Sequence, residues 1–195
     1  IVEALMKKTP GLSDNLPVRR NLWGEPITYQ SGLGKTYDTF SPIYSSAMDP
    51  EPIDEEIIRL EATVLMPKRK TTINGVRVNL NDFKGAYSRY VQLAGNELKS
   101  PFRGDLGAKD YLNQLITGKL PESALYNHAL TSDGPDGGKA NTIKKVLQEY
   151  QESAKAELVE EFPELAAFIE NEVAETNAQQ MEALQKAGGL RINAS

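Results

Sequence analysis

Few residues of this chain combine the type and the spacing that covalent chemistry needs. His128 is the only histidine and there is no cysteine. A Ser-His-Asp or Cys-His triad would therefore have to use His128, yet no Gly-x-Ser-x-Gly elbow accompanies it. One histidine also cannot build a His-rich metal site. Ser31-Gly32-Leu33-Gly34-Lys35-Thr36 ends like a phosphate-binding loop. That loop needs a glycine five positions before Gly34, where Tyr29 stands, and a helix directly after the lysine, where Pro42 soon intervenes. A turn is the reading that remains. Asp133-Gly134-Pro135-Asp136-Gly137-Gly138-Lys139 offers two carboxylates and three glycines, but lacks the alternating ligands and closing glutamate of a calcium loop. It reads as a tight interhelical loop, with an anion nest as the lesser alternative. Aspartates and glutamates are too numerous for any glycosidase-like pair to stand out. The expectation is a non-enzymatic chain with no catalytic residue, no cofactor and no metal.

The segment Leu16-Pro17-Val18-Arg19-Arg20-Asn21-Leu22-Trp23-Gly24-Glu25-Pro26-Ile27 suits contact better than catalysis. It holds the only tryptophan and two adjacent arginines, and its prolines exclude a long helix. Between residues 1 and 51 the chain is broken by prolines and glycines but interleaved with aromatics, Tyr29, Phe40 and Tyr44 among them. Disordered linkers are poor in aromatics. An ordered, extended arm packing across another surface is expected, with Arg19, Arg20, Trp23, Tyr29, Phe40 and Tyr44 as partner-binding residues. Arginine and aromatic anchors are the common hot spots of interfaces. Lys68-Arg69-Lys70 and Arg19-Arg20 keep nucleic acid open as an alternative partner.

The elements that would carry these residues are mostly helical. Pro52 to Val64 has proline near its start, acids in its first turn, and Ile53, Ile57, Leu60 and Val64 at helical spacing. Asn74-Gly75 between two short apolar runs predicts a type I′ hairpin. Helices are expected over Leu80–Leu98 with Asn81 as N-cap, over Leu106–Thr117 capped by Asp105, and over Pro121–Leu130. A long helix over Lys139–Phe162 would turn Ile143, Val146, Leu147, Tyr150, Ala154 and Leu158 inward. Pro163 opens the last helix, which Gly188-Gly189 should stop near Ala187. Its stripe of Leu165, Phe168, Ile169, Val173, Met181 and Leu184 thins between Ala174 and Gln180, leaving the far end for solvent or a partner.

This predicts a mainly α-helical module with one small β-hairpin and a long extended N-terminal arm. Its divisions are 1–51 (arm), 52–138 (helices and hairpin), 139–187 (two long helices) and 188–195 (tail). The first residue is Ile1, which suggests a stretch of a longer polypeptide more readily than a processed one. The net charge is −5. Between Glu149 and Glu182 ten acids face one base, Lys155, so that window carries −9 and the remainder +4. The acidic helices disfavour that end as a nucleic-acid binder and suit a basic protein surface. No apolar run reaches the length of a membrane span, and no signal-peptide core is present.

Leu16 to Ile27, Ser41-Pro42-Ile43-Tyr44-Ser45, Tyr87-Ser88-Arg89-Tyr90-Val91-Gln92-Leu93-Ala94-Gly95-Asn96-Glu97, Asp133 to Lys139, and Glu160-Glu161-Phe162-Pro163-Glu164-Leu165 form a set. As a set they resemble the C-terminal region of large polyvalent bacteriophage proteins, many of which look like internal virion or ejection proteins. The resemblance runs from about Leu16 to Ile169 and contains no active-site motif. It implies a virion location and a docking or assembly module that anchors a larger polypeptide to the portal, core or other virion proteins. A nucleic-acid-contacting module, or an accessory domain of a lytic or hydrolytic enzyme, are the alternatives.

Overall fold

Helix formation starts where the sequence places its punctuation. The computed structural model describes residues 18–27, 50–128 and 132–192, with side chains through Lys186. Helix α1 (Pro52–Arg59) has proline in its first turn and Asp54 and Glu55 at its positive end. It stops short of the expected Val64. Glu61 adopts φ 50°, and the Ala62 amide donates back to the Ile57 carbonyl at 3.0 Å, while Glu61 donates to Ile58 at 2.9 Å. These two bonds close a Schellman cap, and Ala62 and Val64 leave the helix axis to enter the core.

Strands β1 (Lys70–Ile73) and β2 (Val76–Asn79) pair antiparallel, with Lys70 opposite Asn79, Thr72 opposite Arg77 and Ile73 opposite Val76. Asn74 and Gly75 both have positive φ, 49° and 84°, as a type I′ turn demands. The expected Leu80–Leu98 helix is three shorter pieces. The Leu80 amide extends the hairpin ladder by donating to the Arg69 carbonyl at 2.8 Å. A 3₁₀ turn follows over Leu80–Asp82, capped by the Asn79 side chain rather than by Asn81. Gly85 at φ 84° then opens α2 (Ala86–Gln92), which widens into a π-turn over Leu93–Glu97.

Helix α3 (Ala108–Ile116) begins at Gly107, because Asp105 sits at φ 55° instead of capping it. Helix α4 (Ser123–Asn127) is a single turn and a half. Helix α5 (Gly138–Glu161) is the spine. Ala140, Ile143, Val146, Leu147 and Tyr150 pack into one apolar cluster with α1, α3 and Trp23. One and two turns later, Ala154 and Leu158 pack into a second cluster with the hairpin, α2 and the start of α6 (Pro163–Ile192).

The chain is thus mainly helical, with six α-helices and a single two-stranded hairpin among the described residues. Helix α6 does not stop at Gly188-Gly189 but continues to Ile192. Two glycines cost a helix about 2 kcal/mol relative to alanine without forbidding it. Of the expected arm over residues 1–51, only residues 18–27, Pro50 and Glu51 fall among those described.

Candidate functional site

The Trp23 segment is a closed turn built by one side chain. The Asn21 side-chain oxygen accepts from the Trp23 amide at 3.0 Å and the Glu25 amide at 2.9 Å. Backbone bonds from Asn21 to Glu25 and from Ile27 to Arg19 close the loop outside that centre. Gly24 takes φ 80°, which any other residue would resist. The turn is pressed onto the end of α2. A Cβ on Gly95 would lie 2.2 Å from the Trp23 carbonyl carbon, and one on Gly24 would lie 2.6 Å from the Gln92 Cα. Gly24 against the Gln92 backbone and Gly95 against the Trp23 backbone let the turn touch the end of α2 and the π-turn.

Contact at that range puts Trp23 inside the chain's own core. It is 3% exposed, beside Leu22, Ile53 and Leu112. Its indole donates to Asp54 Oδ1 at 2.8 Å, and the Glu51 amide donates to Asp54 Oδ2 at 3.1 Å. Burial raises the Asp54 carboxyl above its ordinary range, against the Trp23 and Glu51 hydrogen bonds that pull it down. Nearby Lys109 bonds Glu25 at 2.5 Å and Glu51 at 2.6 Å. Burial pulls the Lys109 ammonium down, and those two carboxylates more than restore it, leaving it above its ordinary value. The group is a structural clamp joining residues 20–27, the N-terminus of α1 and α3.

The residues expected to meet a partner therefore divide. Trp23 is enclosed by its own helices, so its side chain is not presented at the surface. Arg20 is half-buried, donating to Ser88 Oγ at 2.8 Å and to the Gly24 carbonyl at 2.7 Å. Arg19 is exposed. Tyr29, Phe40 and Tyr44 lie outside the described residues, as does Ser31–Thr36.

The other chemistry-bearing residues take structural positions. His128 is exposed, ending α4. Ser132 to Gly137 forms the tight loop into α5, and its own chain fills the helix start. The Gly138 amide donates to Ser132 Oγ at 3.2 Å, and the Lys139 amide to the Ser132 carbonyl at 3.2 Å. Asp133 clamps Arg59 through both carboxylate oxygens, at 2.9 and 3.1 Å, and pairs with Lys139 at 3.1 Å. Those cations hold its carboxyl well below the usual range. A cavity of about 310 Å³ is lined by Arg103, Tyr111, Glu122, Tyr126, Lys145 and Glu149, among others. Four of its side chains engage one another: Arg103 pairs with Glu149 and lies 4.4 Å over the Tyr111 ring, whose hydroxyl donates to Glu122 at 2.9 Å. Among the described residues no group of three His, Cys, Asp or Glu could hold a metal ion, and no helix is long and apolar enough to cross a membrane.

Two surfaces stand out instead. From Glu170 to Lys186 every residue of α6 is exposed, a rod about 25 Å long. Only its base is packed, through Leu165 and Ile169 in the second cluster and through Phe168, whose ring meets Phe83 edge-on at 5.8 Å. Beyond that, Val173 is 37% exposed, Met181 59% and Leu184 67%. The rod carries Glu170, Glu172, Glu175 and Glu182 against Lys186. The thinning apolar stripe of the sequence had pointed to this end. The second surface is the outer face of the hairpin, where Arg77 joins Lys70. The Asn-Gly turn fixes that register, so the juxtaposition was open to sequence reasoning, although only Lys68-Arg69-Lys70 had been singled out. No family model, no curated protein and no solved structure matches the chain.

Proposed function

We propose that this chain is a non-enzymatic docking module of a bacteriophage internal virion protein, the part that anchors a larger polypeptide to a portal or core protein. The observation that carries it is the rod of α6. A helix polar nearly all round is stable only with a partner or many side-chain pairs. Among the described residues of the rod, Glu182 and Lys186 form the one such ion pair, at 2.6 Å. Val173, Met181 and Leu184 add apolar anchors along a surface carrying four acids.

The occupant we assign is a virion protein presenting a basic-rimmed apolar groove. Helix-in-groove docking reads i, i+3/i+4 and i+7 anchors, and charge complementarity sets orientation and on-rate. The clamp around Trp23 serves this role indirectly, by making the body rigid so that the rod projects from a fixed base. Tyr29, Phe40 and Tyr44 remain proposed contacts on their residue types. The resemblance to large polyvalent phage proteins supports the virion setting.

The test is deletion of this region from the parent polypeptide. The expected outcome is loss of the parent from purified particles. Packaging of the deleted parent at the normal copy number overturns the reading.

A further inference from the structure

The hairpin carries a second surface, opposite in charge to the rod. Strand pleat divides its residues cleanly. Ile73 and Val78 are each 3% exposed and face the second apolar cluster, so Lys70, Thr72, Arg77 and Asn79 occupy the outer face. Thr72 lies directly opposite Arg77, and Lys70 opposite Asn79, which places Lys70 and Arg77 as diagonal neighbours on one face. They line a shallow groove of about 370 Å³ with Thr72 and Asn79, which Thr71 and Val78 of the inward register also border. Lys68 and Arg69 lead into the ribbon and Lys84 follows it; all three are exposed.

Between Ala62 and Ser88 there are five bases and a single acid, Asp82. Asp82 is itself engaged by the Asn79 side-chain amide at 2.8 Å. Arg69 stacks over the Tyr87 ring at 5.1 Å, and none of Lys68, Lys70, Arg77 or Lys84 has an ion pair among the described residues. The salt bridges among the described residues occur elsewhere, although the chain carries more acids than bases overall. A cluster of exposed cations without ion pairs is a surface that an external anion can meet.

We propose that the outer face of the β1–β2 hairpin binds the phosphate backbone of a nucleic-acid duplex. The shape decides between modes. The ribbon lies with its inner face on the body, so only its outer face can meet a duplex. Its outer face holds no aromatic ring, so it lacks the stacking platform that single strands require. Cations flanked by the Thr72 hydroxyl are the groups that contact phosphate and sugar oxygens. This inference stands apart from the docking role of α6, which uses the opposite charge on another element.

The experiment is fluorescence polarisation of a short labelled DNA duplex titrated with the full chain at several salt concentrations. Four cations meeting phosphates give a slope of log K against log salt of about −3.6, or about a 150-fold loss between roughly 50 and 200 mM salt. Replacing Lys68, Lys70, Arg77 and Lys84 with Gln, with circular dichroism confirming the fold, should abolish that binding. Lys119→Gln should leave it unchanged, and a single-stranded oligonucleotide should bind more weakly than the duplex. Binding that survives the fourfold replacement overturns the proposal, as does tighter binding of single strands or affinity insensitive to salt. Self-association at low salt with no affinity for DNA would assign the hairpin to the acidic helix of another copy, and would also overturn it.

Discussion

At the scale of single residues, the indole of Trp23 and the carboxylate of Asp54 decide how the front of the chain behaves. An indole N–H buried at 3% exposure needs an acceptor, and Asp54 Oδ1 supplies it at 2.8 Å. Removing the donor, together with part of the ring, tests the contact. Trp23→Phe keeps most of the apolar volume and leaves Asp54 short of one partner, so it should lower stability by about 1–3 kcal/mol. Urea unfolding followed by circular dichroism measures this, since the variant has no tryptophan fluorescence. Glu56 gives a pH-dependent counterpart. Its hydrogen bonds from Arg59 lower its carboxyl pKa against the opposing pull of burial, with Tyr126 adding to the effect. A lowered folded pKa contributes stability that is fully present above the ordinary value of 4.5 and is lost as pH falls through the folded value. Glu56→Gln should therefore flatten the acid limb of a stability–pH curve while leaving Asp54, whose pKa is raised, to act with the opposite sign. An unchanged acid limb would show that Glu56 is not titrating there.

At the scale of elements, success and failure of sequence reasoning have separable causes. Helix α5 was legible because Ile143, Val146, Leu147, Tyr150, Ala154 and Leu158 keep a 3.6-residue period, and each is buried. The hairpin was legible because Asn74-Gly75 has one favoured turn geometry. The Leu80–Leu98 segment was not, because its apolar residues obey the helical period only in part. Leu80 is fully buried and continues the ladder, Phe83 is extended, and Gly85 sets the true start of α2. The burial of Trp23 was hidden for another reason. Prolines, asparagine and glycine look alike in an open arm and in a tight turn, and the surface that receives the turn comes from Gly95, distant in sequence. That contact can be tested by crowding it. Gly95→Ala places a Cβ against Trp23 backbone at 2.2 Å, and backbone cannot rotate away as a side chain can. Overpacking of this kind costs about 1–3 kcal/mol or more. Acrylamide quenching of Trp23 should rise in the variant as the turn lifts; a stability and quenching profile equal to the parent chain would remove the clamp from the account.

At the scale of the whole molecule, charge and exposure are sorted by element. The hairpin collects unpaired cations, and the rod of α6 collects exposed acids around a sparse apolar line. Between them, α5 joins both apolar clusters into one body. The candidate site was half legible. The acid-rich window and the thinning stripe pointed to the far end of α6, whereas the residues first favoured for contact include one that the fold encloses and one that it half-buries. The difference arises because residue type alone does not distinguish an interface anchor from a core residue; tryptophan and arginine serve both. The central claim is that α6, beyond its packed base, carries the docking surface. Under the proposed virion role, its most direct measurement is the number of copies of the parent polypeptide per particle when Val173, Met181 and Leu184 are replaced together by Gln. These side chains lie outside both apolar clusters, so the body should unfold at the same urea concentration as the unaltered chain. The account predicts that copy number falls sharply while stability is unchanged; normal packaging of the triple variant would contradict it.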